Sequence, residues 1–255
     1  MSKVIACYKW VMDESMVQIK GDLTIDTSSA QYKISNDDRN CVEAAVRAAK
    51  SVGGQAVGLT FGGDKAQKSL KDALSRGLNE VTWAHFDQAE TADGKGTAKA
   101  LAAAIGTMDD VALVLCSDGA SDTLARQTAP RIAAALDWPV VTAVRSIRLS
   151  GDEAVVEKKL EDRIETITVK LPAVISVLAE INPAPLPSLM QIMAAGKKPV
   201  HELKADQLAV DFATNVEVTE RKGYAMDRKN ILFKDGEAED IIKELTAALR
   251  KEGVL

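Results

Sequence analysis

Residues 93–116 read DGKGTAKALAAAIGTMDDVALVLC, and this stretch decides the fold. Asp93 to Gly106 is an Ala-rich run of helical composition. Val111 to Cys116 is short and wholly apolar, the pattern of a strand buried on both faces. A helix handing over directly to such a strand is one step of a parallel sheet, and the step recurs on either side. Lys3 to Lys9, Gln55 to Phe61 and Glu80 to Ala84 read as further strands. Helices over 38–52 and 65–75 separate them, closed by Gly53-Gly54 and Gly77. Ser35 is placed as a helix cap, with Asp37 and Asp38 in the first turn. Val17 to Ile19 and Leu23 to Ile25 alternate as a hairpin across Lys20-Gly21-Asp22. Leu124 to Leu136 reads as another helix, closed by Trp138-Pro139. The expectation is an α/β fold with a parallel sheet covered on both faces.

After Pro139 the pattern changes. Val140 to Arg148, Ala154 to Leu160, Arg163 to Lys170 and Val174 to Leu178 are strand-like with no helix between them, which predicts an antiparallel extension. Ala205 to Lys234 shows little periodicity and reads as an extended arm. Glu237 to Lys251 is an amphipathic helix with Ile241, Ile242, Leu245, Ala248 and Leu249 on one face. The chain divides accordingly into an α/β domain over 1–200 and an arm with a C-terminal helix over 201–255.

Composition narrows the function. Of the 255 residues 46% are apolar, enough for a sizeable core. The net charge of −5 argues against nucleic acid or an anionic membrane as partner. The longest apolar run, Val111 to Cys116, is far below membrane-spanning length. Val4 to Tyr8 is too short for a secretory segment. Cys7, Cys41 and Cys116 are isolated and odd in number, which fits a reducing cytoplasm. His85 and His201 sit in no metal spacing, and no catalytic triad, Walker loop or GxGxxG turn is present.

Residues 181–200 read INPAPLPSLMQIMAAGKKPV. Pro183, Pro185 and Pro187 exclude a helix or an internal strand and make a stiff, extended segment. Leu189, Ile192 and Met193 then fall on one face of a helical turn, followed by Lys197 and Lys198. One reading is a rigid arm presenting an apolar knob for docking. The plainer one is a buried loop-to-helix transition with solvated lysines.

In a parallel sheet, ligands bind beyond the carboxyl ends of the strands, where helix N-termini offer donors. Four such ends are expected to converge: Cys7 to Lys9, Ser35 to Asp38, Phe61 to Gly63, and Ser117 to Asp122 with Gln127 and Thr128 beyond. Each alone also reads as turn or cap chemistry. Asp118 and Asp122 would repel a phosphate, so they are assigned to ribose hydroxyls or to capping. The phosphate is assigned to backbone N–H groups and the hydroxyls of Ser121, Thr123 or Thr128.

Six segments in order, VIACYKWVMDES from Val4, KISNDDRNCVEAA from Lys33, TAKALAAAI from Thr97, LDWPVVTAV from Leu136, KLEDRIETITVKLPAV from Lys159 and AGKKPV from Ala195, carry a family likeness. The chain resembles electron transfer flavoprotein β subunits, nearest to the Fix-type branch linked to carnitine metabolism and nitrogen fixation. The resemblance implies a nucleotide-binding α/β hydrolase-like domain and an electron carrier rather than a bond-making enzyme. It implies AMP or a second FAD in this chain's crevice. The main FAD would lie in an α subunit, with which the chain forms a heterodimer. The further partner would be a flavin dehydrogenase such as an acyl-CoA dehydrogenase. By the resemblance, the nucleotide contacts fall on Cys7, Lys9, Ser35, Asn36, Asp38, Phe61, Gly62, Asp118, Ser121, Asp122, Thr123, Gln127 and Thr128. Ser35-Asn36 stand where the family has Asn-Pro, and Ala129 where it has Gly. Partner docking falls on Leu189, Ile192, Met193 and Lys197. Other readings of the residues are a bifurcating β subunit with its own redox-active FAD, a universal-stress-like nucleotide-binding module without redox role, and a small hydrolase. The donor and acceptor are open among carnitine or crotonobetaine reduction, fatty-acid oxidation and nitrogen fixation.

Overall fold

The computed structural model describes residues 2–210, 216, 218–225 and 228–255. The chain opens with β1 (Lys3–Cys7) and four short strands, β2 (Trp10–Met12), β3 (Gln18–Ile19), β4 (Ile25–Asp26) and β5 (Tyr32–Ile34). β2 pairs antiparallel with β5, and β3 with β4 forms the expected hairpin. Then follow α1 (Asn36–Ser51), β6 (Gln55–Gly62), α2 (Gln67–Ser75), β7 (Glu80–His85), α3 (Gly94–Gly106), β8 (Val111–Ser117) and α4 (Thr128–Leu136). The second half adds β9 (Val140–Ser150), β10 (Glu153–Lys159), β11 (Ile164–Lys170), β12 (Ala173–Val177), α5 (Leu189–Ala195), β13 (Val200–Lys204), α6 (Ala205–Leu208) and α7 (Ala238–Lys251).

Nine strands form one sheet in the order β11-β10-β9-β12-β8-β1-β6-β7-β13. Every pair from β9 to β13 in that order is parallel, and the pairs β9–β10 and β10–β11 are antiparallel, so β10 alone runs against the others. Side chains alternate along β1: Val4 and Ala6 join the core under α1 and α2, and Ile5 and Cys7 join that under α3 and α4. The sheet is therefore covered on both faces, as the alternation of elements predicts. Among the described residues, no helix is long and apolar enough to cross a membrane.

Three expectations are corrected. Residues 174–178 do not continue the antiparallel extension; β12 inserts parallel between β8 and β9. All five of its residues are buried, which is what a parallel strand with two covered faces requires. The helix expected from Leu124 begins only at Thr128, because Leu124 and Arg126 take left-handed backbone with φ of 45° and 55°. Residues 118–127 are thus a loop. The expected arm over 205–234 opens with one helical turn, α6, and 211–215, 217, 226 and 227 lie outside the described residues.

The chain separates into two compact units, Met1–Gln18 with Asp26–Glu220, and Ile19–Ile25 with Arg221–Leu255. In the second, the Gly223 N–H bonds the Leu23 carbonyl at 2.8 Å, and a Cβ on Gly223 would overlap the Ile19 side chain. Its helix α7 begins with Glu239 and Asp240 and ends with Arg250 and Lys251, each matched to the helix dipole.

Candidate functional site

The sheet order places β6 on one side of β1 and β8 on the other, so the direction of winding reverses between β1 and β8. Such a reversal opens a crevice beyond the carboxyl ends of those strands. The segment after β1, the start of α1 and the loop after β8 meet there.

Asp38 is the centre of that meeting. It sits in the first turn of α1, only 3% exposed. Its Oδ2 accepts the Lys9 backbone N–H at 2.7 Å, and its Oδ1 accepts the Ser117 hydroxyl. Burial pushes its carboxyl up to about 7, against the two hydrogen bonds that favour the ionised form. Asp37 is also raised, by burial and then by the Asp118 and Glu14 charges. Lys9 reaches across the crevice, its Nζ 2.6 Å from Asp122 Oδ2. Ser35 holds the N-cap position of α1 but does not cap it. Its buried hydroxyl instead accepts the Ser121 N–H at 3.1 Å, tying the loop to the helix start.

Asp118 is held from the other side. Ser176 in β12 donates to its Oδ1 at 2.8 Å and accepts the Ala143 N–H at 3.1 Å, while Arg126 Nε lies 3.3 Å from its Oδ2. Ala143 is left-handed at φ 57°, where the register of β9 against β12 shifts. Ser176 and Arg126 were absent from the expected contacts, and Ser117 was expected only as the start of the loop after β8. The signal for Ser176 was a lone hydroxyl inside the apolar run AVISV.

The structure thus brings Lys9, Ser35, Asp38, Asp118, Ser121 and Asp122 together. The other expected residues lie differently. Cys7 turns its side chain into the same core as Cys116, so it does not line the crevice. All three cysteines are buried and free. Asn36 is exposed and donates to Glu14 at 3.2 Å. Phe61 packs on Phe86 with ring centres 5.5 Å apart, and the Gly62 carbonyl accepts Trp83 Nε1–H at 3.0 Å, one strand away. Thr123 is exposed beside Asp122, and Thr128 opens α4. Gln127 turns toward its own helix, accepting Arg131 at 3.0 and 3.1 Å.

Two buried hydroxyls, Thr60 Oγ1 on β6 and Ser121 Oγ in the loop after β8, have no partner among the described residues, and only Ser121 belongs to the residues gathered in the crevice. An orphaned hydroxyl in a switch-point crevice fits a polar ligand that supplies its partner. The acidic side chains suit ligand hydroxyls, and the start of α4 suits a phosphate.

The Asp38 environment yields a stability prediction. Its carboxyl is raised from 3.8 to about 7, so the folded protein holds a proton that the unfolded chain releases. The stabilisation is complete below about pH 4 and is lost as pH rises through about 7. Urea denaturation from pH 4 to 8 should show wild type losing on the order of 4 kcal/mol relative to Asp38→Asn, at about 1.4 kcal/mol per pH unit. Parallel profiles would refute it.

The fold and crevice define the protein's class: a doubly wound α/β domain with a polar crevice at the switch point. The electron transfer flavoprotein domain matches residues 22–208. The chain belongs to the electron transfer flavoprotein family, whose members carry electrons with the help of flavin.

Proposed function

We propose that the chain is the β subunit of a heterodimeric electron transfer flavoprotein, relaying electrons between a flavin dehydrogenase and an acceptor. The observation that carries this reading is the arm at 183–193. Leu189 is 74% exposed, Met190 82% and Met193 71%, so this apolar cluster is not core. It is nevertheless held firmly. Asn182 and Asn40 of α1 exchange amide–carbonyl hydrogen bonds at 2.5 and 3.1 Å at its root. Beyond α5, Lys198 donates to the Leu74 and Leu78 carbonyls at 3.0 and 2.6 Å, closing the end of α2. Ser188 and Gln191 form a capping box that starts α5. An exposed apolar knob on a pinned, proline-stiffened arm suits transient docking.

The crevice is assigned to an adenine nucleotide, as AMP or within a second FAD. Asp38, Asp118 and Asp122 accept ribose hydroxyls, Ser121 gains the partner it lacks, and Lys9 with the start of α4 receives the phosphate. Flavin supplies reversible electron uptake when bound; the chain's own residues orient it and exclude water.

The test is co-expression with a candidate α subunit. A flavin absorption band appearing only with the partner supports the assignment of the main FAD to that subunit. A band in the isolated chain supports a second FAD here. Thr128→Glu should remove AMP or FAD from the denatured supernatant, as read by mass spectrometry. Glutamate suits the first turn of α4, so the fold should hold. Equal nucleotide in both proteins would refute the crevice assignment.

A further inference from the structure

The helices α3 and α4 pack side by side on one face of the sheet, and a groove of about 260 Å³ runs between them. Ala98, Ala134 and Ala135 keep its floor low, and Lys95, Lys99 and Arg131 stand around it. Lys95 and Lys99 are one turn apart on α3, and Arg131 faces them from α4. The start of α3 lies directly against Arg131: a Cβ on Gly94 would sit 3.8 Å from Arg131 Nε and 3.4 Å from Gln127 Oε1.

No carboxylate among the described residues pairs with any of these three cations. Arg131 is bonded only to the neutral Gln127 amide. Elsewhere the same chain matches helical cations at i,i+4, as in Arg47–Glu43, Arg76–Asp72 and Lys243–Glu239. The chain also has more acidic than basic residues, 37 against 32. Three like charges converging without a counter-charge disfavour the free protein. The arrangement becomes favourable when a compact anion enters the groove. Guanidinium and ammonium groups on opposing walls, separated by small residues, match adjacent phosphoryl groups.

We infer that the α3–α4 groove binds a diphosphate-class anion, separately from the crevice beyond β1 and β8. Lys95 and Lys99 hold one phosphoryl group, and Arg131, oriented by Gln127, takes the other. The groove's volume suits a small ligand rather than an extended protein face.

Inorganic pyrophosphate is the probe, titrated calorimetrically into the full chain at low ionic strength. Wild type should take up one equivalent saturably, with affinity falling as salt is added. Lys99→Gln/Arg131→Gln should weaken binding at least tenfold at an unchanged melting temperature, and Lys9→Gln, which removes the crevice's cation, should leave it intact. If that double variant does not fold, Lys95→Gln/Lys99→Gln, which spares the Gln127–Arg131 contact, should give the same loss. Absence of saturable uptake overturns the inference, as does equal affinity in the groove variants. A polyglutamate peptide that binds the groove and is not displaced by pyrophosphate also overturns it, assigning the surface to an acidic protein.

Discussion

Deleting residues 236–255 is expected to abolish co-purification with an α subunit while leaving the sheet unit folded. Helix α7 carries Ile241, Ile242, Leu245, Ala248 and Leu249 on one face, and none of its residues is buried. Ile242 is 61% exposed and Leu245 42%. A helix of 14 residues has little stability of its own in water and normally depends on burying such a face. Under the proposed function that face is covered by the α subunit, in an interface larger than a standard transient one. Co-elution of the truncated chain with the α subunit on a sizing column would refute this.

Leu189→Ala is expected to weaken dehydrogenase docking by about one to two orders of magnitude at unchanged flavin content. Burying one leucine side chain is worth roughly 1.5–3 kcal/mol, and each 1.4 kcal/mol is about tenfold in affinity. The prolines have already restricted the backbone leading to it, so little ordering cost remains on docking. Because Leu189 is exposed in the free chain, its truncation should leave the melting temperature nearly unchanged. Electron transfer from the cognate dehydrogenase, measured beside the melting curve, tests this. Lost stability without a selective loss of transfer would eliminate the docking role.

The sheet was legible because period and composition carry it. Val111 to Cys116 has no polar face, so only a two-sided burial suits it, and Gly53-Gly54 and Gly77 mark helix ends that the backbone uses. The placement of β12 was less legible, because strands following one another without a helix suggest hairpins; its unbroken burial could have distinguished it. The late start of α4 depends on left-handed Leu124 and Arg126, a conformation that neither residue type signals. In the crevice, Lys9 was expected from the end of the first strand and Asp38 from the start of the first helix, and a hydrogen bond joins the two. Ser35 was read for its local capping chemistry, whereas its hydroxyl serves Ser121, 86 positions away. Local chemistry competes with tertiary chemistry at such residues, and one sequence shows only the local side. Cys7 illustrates the strand period of two: it ends β1 at the right edge but faces the core rather than the crevice.

The paired asparagines and Lys198 have an evolutionary consequence. They fasten the arm at its two ends through backbone carbonyls of α1 and α2 and of the arm root, groups that every amino acid carries. The outward side chains between the fastenings are therefore free to drift without disturbing the sheet, whereas Ala195, 1% exposed, stays tied to the core. Selection can rewrite those outward side chains for a new redox partner as one would change the bit in a fixed key handle.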